Sequence, residues 1–298
     1  MVRQLGGQVT SPLISVVIPT HNRASMLKKA IDSVLQQTET DLELIIVDDA
    51  STDETSELLN EYVKTDARIN VIKNKVALGG GGARNVGISA SKGKWVAFLD
   101  DDDEWYKNKL SLQLEMIKLF PSAIACSCDY EHHYPFGLKK KFTLPKRVSL
   151  NDLYYGNSLG GASMCFCLRN ILVSIGGFDT KLKSGQDWDL WVRLRTQGQV
   201  VVCSKPLVRY MDHFGFRISN NMRSQYLGSR YFYFKHRDNM DVDLRQFRIC
   251  HLCFLKSRDT TKNLKNRLHY LFLAVYFSDV WTGLKYLKNS FLRILIHK

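Results

Sequence analysis

Asp100, Asp101, Asp102 and Asp103 form one unbroken acidic run, with Glu104 directly behind them. Adjacent carboxylates repel, so the run costs stability unless something positive sits among it. One reading makes these acids the start of a helix over Tyr106 to Phe120, because carboxylates suit a first helical turn. That accounts for Asp103 and Glu104, but poorly for four acids at the mouth of the apolar stretch Trp95 to Leu99. The other reading is a divalent cation, a natural counter-charge at the carboxyl end of a strand, where open α/β sheets gather ligands. Clustered acids favour the cation. A second pair, Asp187 and Asp189, opens an amphipathic run through Leu194, and helix-start acidity is its plain reading. Asp48 and Asp49 end a third apolar run, where loop chemistry and ligand binding compete on equal terms.

Each of these groups needs an element to hold it. Ile14 to Pro19 is a β-rich run closing in Thr20, His21, Asn22 and Arg23. Met26, Leu27, Ala30, Ile31, Val34 and Leu35 then recur at helical spacing. Leu42 to Val47 reads as a second buried strand, and Ser51 to Glu54 matches a capping box for a helix to about Lys64. Ile69 to Ile72 is a third strand, Gly79 to Gly82 a turn into a helix from Ala83 through Ser91, and Trp95 to Leu99 a fourth strand. Further strands are expected at Ala123 to Tyr130, Ser163 to Leu168, Val200 to Cys203 and Val208 to His213. Residues 131–147 read as a surface loop, and Asn170 to Ile175 as a short helix. The alternation predicts an α/β fold, a mostly parallel sheet with helices on both faces. Thr20, Asn22 and Arg23, then Asp48 and Asp49, then the aspartate run all finish strands on one edge and outline one crevice. Gly79 to Gly82 lacks the order of a P-loop or a dinucleotide fingerprint, so it argues only for a tight turn or a close approach to a ligand. Arg84 behind it either meets a phosphate or base or stays solvated.

The chain has 298 residues, 45% hydrophobic and 24% charged, which describes a globular protein with a sizeable core. Seven cysteines show no disulfide-framework spacing, and the lone pair Cys250 and Cys253 lacks the further ligands that zinc requires. A reduced, cytoplasmic protein fits that usage. The first residues carry no apolar signal-peptide core, and no apolar segment approaches the ~20 residues that span a bilayer. The formal charge of +13 calls for an anionic partner: nucleic acid, phospholipid or a phosphorylated substrate.

Five stretches together resemble the family 2 glycosyltransferases: ISVVIPTHNRASMLKKAIDSVLQQT, LELIIVDDASTDET, GGARNVGISASKGKWVAFLDDDDEW, IGGFD and GQDWDLWVRL. They occur in that family's order over roughly residues 13–215. The resemblance implies the GT-A fold, with a catalytic domain over 1–218; residues 219–298 lie beyond it and read as a basic, amphipathic helical extension. Within the domain it implies a nucleotide-binding half over about 13–105 and an acceptor half over about 106–218. It implies that Pro19, Thr20, Asn22, Arg23 and Asp49 cradle a nucleotide sugar, a UDP-sugar foremost, with Asp49 accepting from the base and Arg84 near it. Asp100 and Asp102 fall on the family's DxD, with Asp102 and Asp100 binding Mg²⁺ or Mn²⁺ and Asp100 or Asp101 holding the ribose. Asp187 falls on the base that takes the acceptor's proton as its oxygen attacks the anomeric carbon with inversion. The family often has glutamate before that base. Here it is Gln186, which leaves less like-charge repulsion to raise the pKa of Asp187. His213 falls where related enzymes place a group near the diphosphate or metal, and a structural histidine is the competing reading.

Residues 256–298 carry nine lysines and arginines against two aspartates, interleaved with Leu264, Leu268, Leu271, Phe272, Trp281 and Phe291. A cationic amphipathic helix pair suits the interface of an anionic membrane, and the same stripe suits packing on the catalytic domain. A peripheral enzyme on the inner face of the cell membrane would match a lipid-linked glycan acceptor. Two other classes compete. A nucleotidyltransferase would keep the acidic metal site but show a basic, glycine-rich phosphate loop where this chain has PTHNRAS. A non-catalytic basic protein would need neither Asp102 nor Asp187, and the tail's aromatics are spaced for a helix face rather than as a nucleic-acid stacking platform.

Overall fold

Ile14, Val16 and Ile18 alternate along one strand with Val17, and all four are fully buried. Successive strand side chains point to opposite faces, so only a sheet covered on both sides buries them all. In the computed structural model, which describes residues 11–212, 221–258 and 264–276 and the backbone of 4–5 and 8–9, that is the arrangement found. Leu27, Ala30, Ile31 and Val34 of α1 (Ala24–Leu35) join Ile14, Val16 and Ile18 in one apolar cluster. Gly87 of α3 (Gly79–Ala90) lies on the other face, where a Cβ would come within 2.3 Å of Val17 Cγ1. Between them in the chain stand β2 (Leu42–Asp48), α2 (Thr55–Thr65) and β3 (Ile69–Lys73), after β1 (Ile14–Thr20).

The remaining elements are β4 (Trp95–Phe98), β5 (Glu104–Trp105), α4 (Lys109–Leu119), β6 (Ala123–His133), β7 (Lys139–Phe142), α5 (Leu150–Tyr155), β8 (Phe166–Leu168), α6 (Arg169–Ser174), α7 (Gln186–Gln197) and β9 (Gln199–Met211). They complete a nine-stranded sheet in the order β3-β2-β1-β4-β8-β6-β9-β5, with β7 paired to β6. Strands β1 to β4, β6 and β9 point one way, while β8, β5 and β7 run against them. The sheet is therefore mixed and mostly parallel.

Several local expectations change. The 131–147 stretch is a hairpin, not a loop: β6 continues to His133 and pairs with β7. The two last strands are one, β9, whose register shifts between Cys203 and Val208 accommodate Pro206. The strand expected from Ser163 begins at Phe166, after a 3₁₀ turn over Ala162–Met164. The capping box does not form; Asp53, not Ser51, accepts from the Thr55 N–H and hydroxyl. Gly79 to Gly82 belong to α3 rather than to a turn ahead of it, and a Cβ at Gly82 would lie 2.6 Å from the Leu78 Cβ.

The chain divides into two units, Met1–Leu153 with Asn157–Thr180 and Asp187–Phe214, and Tyr154–Gly156 with Lys181–Gln186 and Gly215–Lys298. The second holds α8 (Met222–His236), α9 (Val242–Ser257) and α10 (Leu264–Tyr276). Asn221 and Asp241 cap α8 and α9 by accepting from Ser224 N and Leu244 N. Cys250 and Phe254 of α9 bury against Ala274 of α10, leaving Leu268, Phe272 and Tyr276 exposed. All seven cysteines are free thiols. Among the described residues no helix is long and apolar enough to cross a membrane. Residues 277–298, the end of the basic stripe, lie outside the described residues.

Candidate active site

Strand β4 carries the chain to the carboxyl edge of the sheet, and Asp103 N–H donates to Asp100 O (3.1 Å), folding the four acids into one turn. Ser163 pins the turn from the neighbouring segment: its Oγ accepts from Asp100 N (3.1 Å) and donates to Asp103 Oδ2 (2.6 Å). Met211 N–H at the end of β9 donates to the other Asp103 oxygen (3.0 Å). Trp105 Nε1–H closes the frame on Ser163 O (3.0 Å).

The positive charge that the acids require comes from two arginines. Arg23, at the cap of α1, reaches Asp101 Oδ1 (2.9 Å) and Asp102 Oδ2 (2.8 Å), and Thr20 Oγ1–H donates to Asp101 Oδ2 (2.8 Å). Arg84 of α3 pairs with Asp100 and stands over the Phe178 ring. Its Nε is buried with no acceptor among the described residues. Phe178 is held in place by a two-way bond, Phe178 N–H to Asn85 Oδ1 (2.7 Å) and Asn85 Nδ2–H to Phe178 O (2.8 Å). Gly177 makes that approach possible: its φ is +64°, and a Cβ would lie 2.3 Å from Asn85 Oδ1.

Asp187 sits at the start of α7, where Trp188 N–H donates to Oδ1 (2.9 Å) and Asn157 Nδ2–H to Oδ2 (3.3 Å). It lies within electrostatic reach of Asp100 and Arg84. Asp189 is different: fully buried and paired with Arg193 one turn on (2.7 Å), it serves the fold. Gln186 turns away to donate to Leu182 O (2.9 Å).

Burial decides the protonation pattern. It pushes Asp101 up to about 6, with Arg23 pulling down and Asp102 pushing up. Burial also holds Asp103 well above the usual carboxylate range, and Asp102 and Asp100 add to it. For Asp187 burial again raises, the Trp188 N–H and Arg84 lower, and Asp100 raises. Burial works against the charged forms of Arg23 and Arg84, but their carboxylate partners outweigh it and hold both above the ordinary arginine value.

The structure thus brings Thr20, Arg23, Arg84, Asp100, Asp101, Asp102 and Asp187 to one edge. Pro19 is buried inside β1, one residue behind Thr20. Asn22, at φ 53°, accepts from Thr52 N (2.7 Å) and fastens the β1 end to the β2 loop. Asp49 accepts from Asn74 Nδ2 (2.7 Å), Leu78 N (2.9 Å) and Gly79 N (2.8 Å), capping α3. Asp48 accepts from Ser51 N (2.9 Å) inside its own loop. His213 lies outside the described residues. Ser163 and Asn157 were not foreseen, since a lone serine or asparagine carries no spacing signal; Phe178 stood only within the IGGFD stretch, and Asp103 only as a helix-start acid.

Residues 15–174 match Glycosyl transferase family 2. The chain belongs to this family. The glycosyltransferase is 30% identical over 266 residues to WcaA of Escherichia coli strain K12, a glycosyl transferase assigned to colanic acid biosynthesis, covering 84% of this chain and 91% of that one. It is also 30% identical over 201 residues, 65% of its length and 76% of the relative's, to the E. coli UDP-Glc:alpha-D-GlcNAc-diphosphoundecaprenol beta-1,3-glucosyltransferase WfgD. In fold it resembles S. aureus TarS residues 1–349, solved with UDP-GlcNAc, at a TM-score of 0.68 and 19% identity over 89% of this chain and 80% of that one. The mannosyltransferase PcManGT of Pyrobaculum calidifontis, solved with GDP-Man and Mn²⁺, superposes at 0.61 and 16% identity over 96% of this chain and 81% of that one. The GT-A-like fold and the glycosyltransferase activity follow, and the nucleotidyltransferase and non-catalytic readings fall away.

Proposed function

We propose that this glycosyltransferase moves a sugar from a UDP-sugar to a hydroxyl of a lipid-linked glycan, with inversion at the anomeric carbon. One observation carries it: a half-buried carboxylate, Asp187, faces an acidic turn that two guanidiniums hold together. WfgD supports the donor and acceptor classes by what it is named for, and the UDP-GlcNAc complex of TarS supports the donor.

The donor set fits a hard dication. Oxygens of Asp100, Asp102 and Asp103 lie within 4.8 Å of one another, all carboxylate, as Mg²⁺ or Mn²⁺ prefers. Asp102 and Asp100 would hold the ion, because both Asp103 oxygens are already engaged by Ser163 and Met211. His213 is proposed beside them. When bound, the ion offsets the charge of the departing diphosphate. Thr20, Asn22, Arg23 and Asp49, with Pro19 behind them, frame the nucleotide, and Asp101 or Asp100 the ribose. The orphaned Arg84 Nε–H is the donor left over for a phosphate or base oxygen. Asp187 takes the acceptor hydroxyl's proton as that oxygen bonds to the anomeric carbon and the carbon–phosphate oxygen bond breaks, its electron pair leaving with the diphosphate. The catalytic domain is proposed over 1–218, and the cytoplasmic face of an anionic membrane as the place of work, with residues 256–298 against it.

Thermal unfolding with Mn²⁺ and a panel of nucleoside diphosphates tests the site. A ligand at ~100 times its Kd adds about 2.7 kcal/mol to the folded state. Wild type should gain a clear Tm shift from UDP only with metal, and Asp102→Asn should lose it. No shift with any diphosphate would remove the nucleotide site.

A further inference from the structure

The β6–β7 hairpin turns through a residue type that such a turn seldom holds. Tyr134 N–H closes on Leu138 O (2.8 Å), and between them Phe136 and Gly137 both have positive φ, 65° and 82°. Asparagine or glycine fills such positions without strain, whereas a bulky aromatic there is a rarity. Phe136 is nonetheless 94% exposed, and Leu138 beside it 69%.

Residues 134–147 hold Lys139, Lys140, Lys141, Lys146 and Arg147 and no carboxylate. Lys139, Lys140 and Lys141 form the exposed strand β7, opposite His133, His132 and Glu131. Glu131 accepts from Tyr106 Oη–H (2.5 Å), and its other oxygen lies 3.9 Å from Lys141 Nζ, which offsets one of the three charges in part. Lysines on an edge strand can be a guard against sheet-to-sheet pairing. That reading explains the lysines and leaves the apolar tip unexplained.

We infer that this hairpin is a membrane-docking element that seats Phe136 and Leu138 at the headgroup–acyl boundary of an anionic phospholipid surface while Lys139, Lys140 and Lys141 meet the headgroups. An apolar tip flanked by cations is the combination that interfacial binding rewards. Its position gives it a purpose. His133, where the hairpin leaves the sheet, pairs with Met211, whose N–H holds Asp103 in the acidic turn. A docked hairpin therefore holds the sheet edge bearing those acids near the headgroup plane. That purpose rests on the lipid-linked acceptor proposed above; the docking does not.

The test is co-sedimentation of the full chain with phosphatidylcholine vesicles, with and without phosphatidylglycerol. Wild type should pellet with the anionic vesicles and be released by salt. Replacing Lys139, Lys140 and Lys141 by Gln should lower partitioning by about 100-fold, from the attraction of each lysine to an anionic leaflet. Phe136→Ser with Leu138→Ser should lower it as well, with Tm little changed because both side chains are mostly exposed. Phe136→Trp should show fluorescence quenching by bromine-labelled acyl chains beyond that of wild type, whose own tryptophans include Trp281 in the basic tail. Hairpin variants that bind as wild type does would assign any binding to residues 256–298 and overturn the inference. So would a Phe136→Trp quenched no more than wild type, or a chain that retains nucleic acid and ignores vesicles. The diphosphate-dependent Tm shift is read without lipid, so the two readings fail separately.

Discussion

Asp187 can act as a base only if it is deprotonated at the working pH yet basic enough to accept a proton, and its surroundings set that balance. Burial and Asp100 raise its pKa, whereas Arg84 and the Trp188 N–H lower it. Activity needs the carboxylate, so the rate falls as pH drops through this pKa, and a raised value brings that fall closer to neutrality than the ordinary ~3.9 of an aspartate. Removing the Arg84 charge leaves the carboxylate less stabilised, so Arg84→Gln should move the acid limb of kcat/KM upward. Asp187→Asn should lower kcat by about 10²–10⁴-fold while UDP binding, read by Tm, stays as in wild type. A rate unchanged in Asp187→Asn would pass the base role to another group. At this scale the charged residues were legible, because four consecutive acids demand a counter-charge, although the sequence alone pointed to a divalent cation for it and not to the arginines. Arg23 and Arg84 do supply it. Ser163 and Asn157 were not legible, because a neutral hydrogen-bonding residue becomes part of a site only through the fold that brings it there.

Elements place these groups through a few close approaches. Gly177 lets the Phe178 backbone lock onto Asn85 of α3, and Phe178 in turn lies under Arg84. Gly177→Ala would combine a left-handed φ, costing roughly 1–2 kcal/mol, with a Cβ 2.3 Å from Asn85 Oδ1. Urea unfolding should show a loss above about 2 kcal/mol, and kcat should fall as Arg84 shifts. Gly137→Ala is the control: φ is +82° but nothing lies within 4 Å, so only the backbone cost of roughly 1–2 kcal/mol applies. Equal losses in the two variants would mean the Asn85 lock has no energetic weight. The strands and helices themselves followed hydrophobic period, which is why β1 to β4 and α1 to α3 lie close to where the pattern puts them. The misses share a cause. Polar strands such as β7 bury one face or none, so no apolar period marks them, and the glycine run that opens α3 reads as a turn although only Gly87, farther along, meets the sheet.

Across the whole molecule, two sets of carboxylates give opposite pH dependences of stability. Asp53 and Asp66 are held below their ordinary value. For Asp53 burial opposes the shift and the Thr55 hydroxyl and N–H bonds produce it; for Asp66 the Arg68 side-chain bonds do. Their contribution is present above the ordinary aspartate pKa and is lost as pH falls through the depressed values. Asp101, Asp103 and Asp187 are held above it, chiefly by burial, with Asp101 at about 6. The folded state binds these protons more tightly than the unfolded chain, so stability is greatest below the ordinary pKa and declines as pH rises from about 4 toward 6. Asp101 alone, lifted from the ordinary aspartate value to about 6, accounts for roughly 2–3 kcal/mol of that decline. Without metal, stability should therefore peak in the mildly acidic range and fall by neutral pH. A divalent cation favours the ionised forms of the carboxylates around it, so saturating Mn²⁺ should flatten or reverse the fall between about pH 5 and 7, measured as urea midpoints at each pH. Asp102→Asn removes a charge that helps raise Asp101 and Asp103, so it should shrink the metal-free fall and lose the response to Mn²⁺. A metal-free curve that rises to neutrality would show that Arg23 and Arg84 already neutralise the turn, leaving no net charge for a cation to balance.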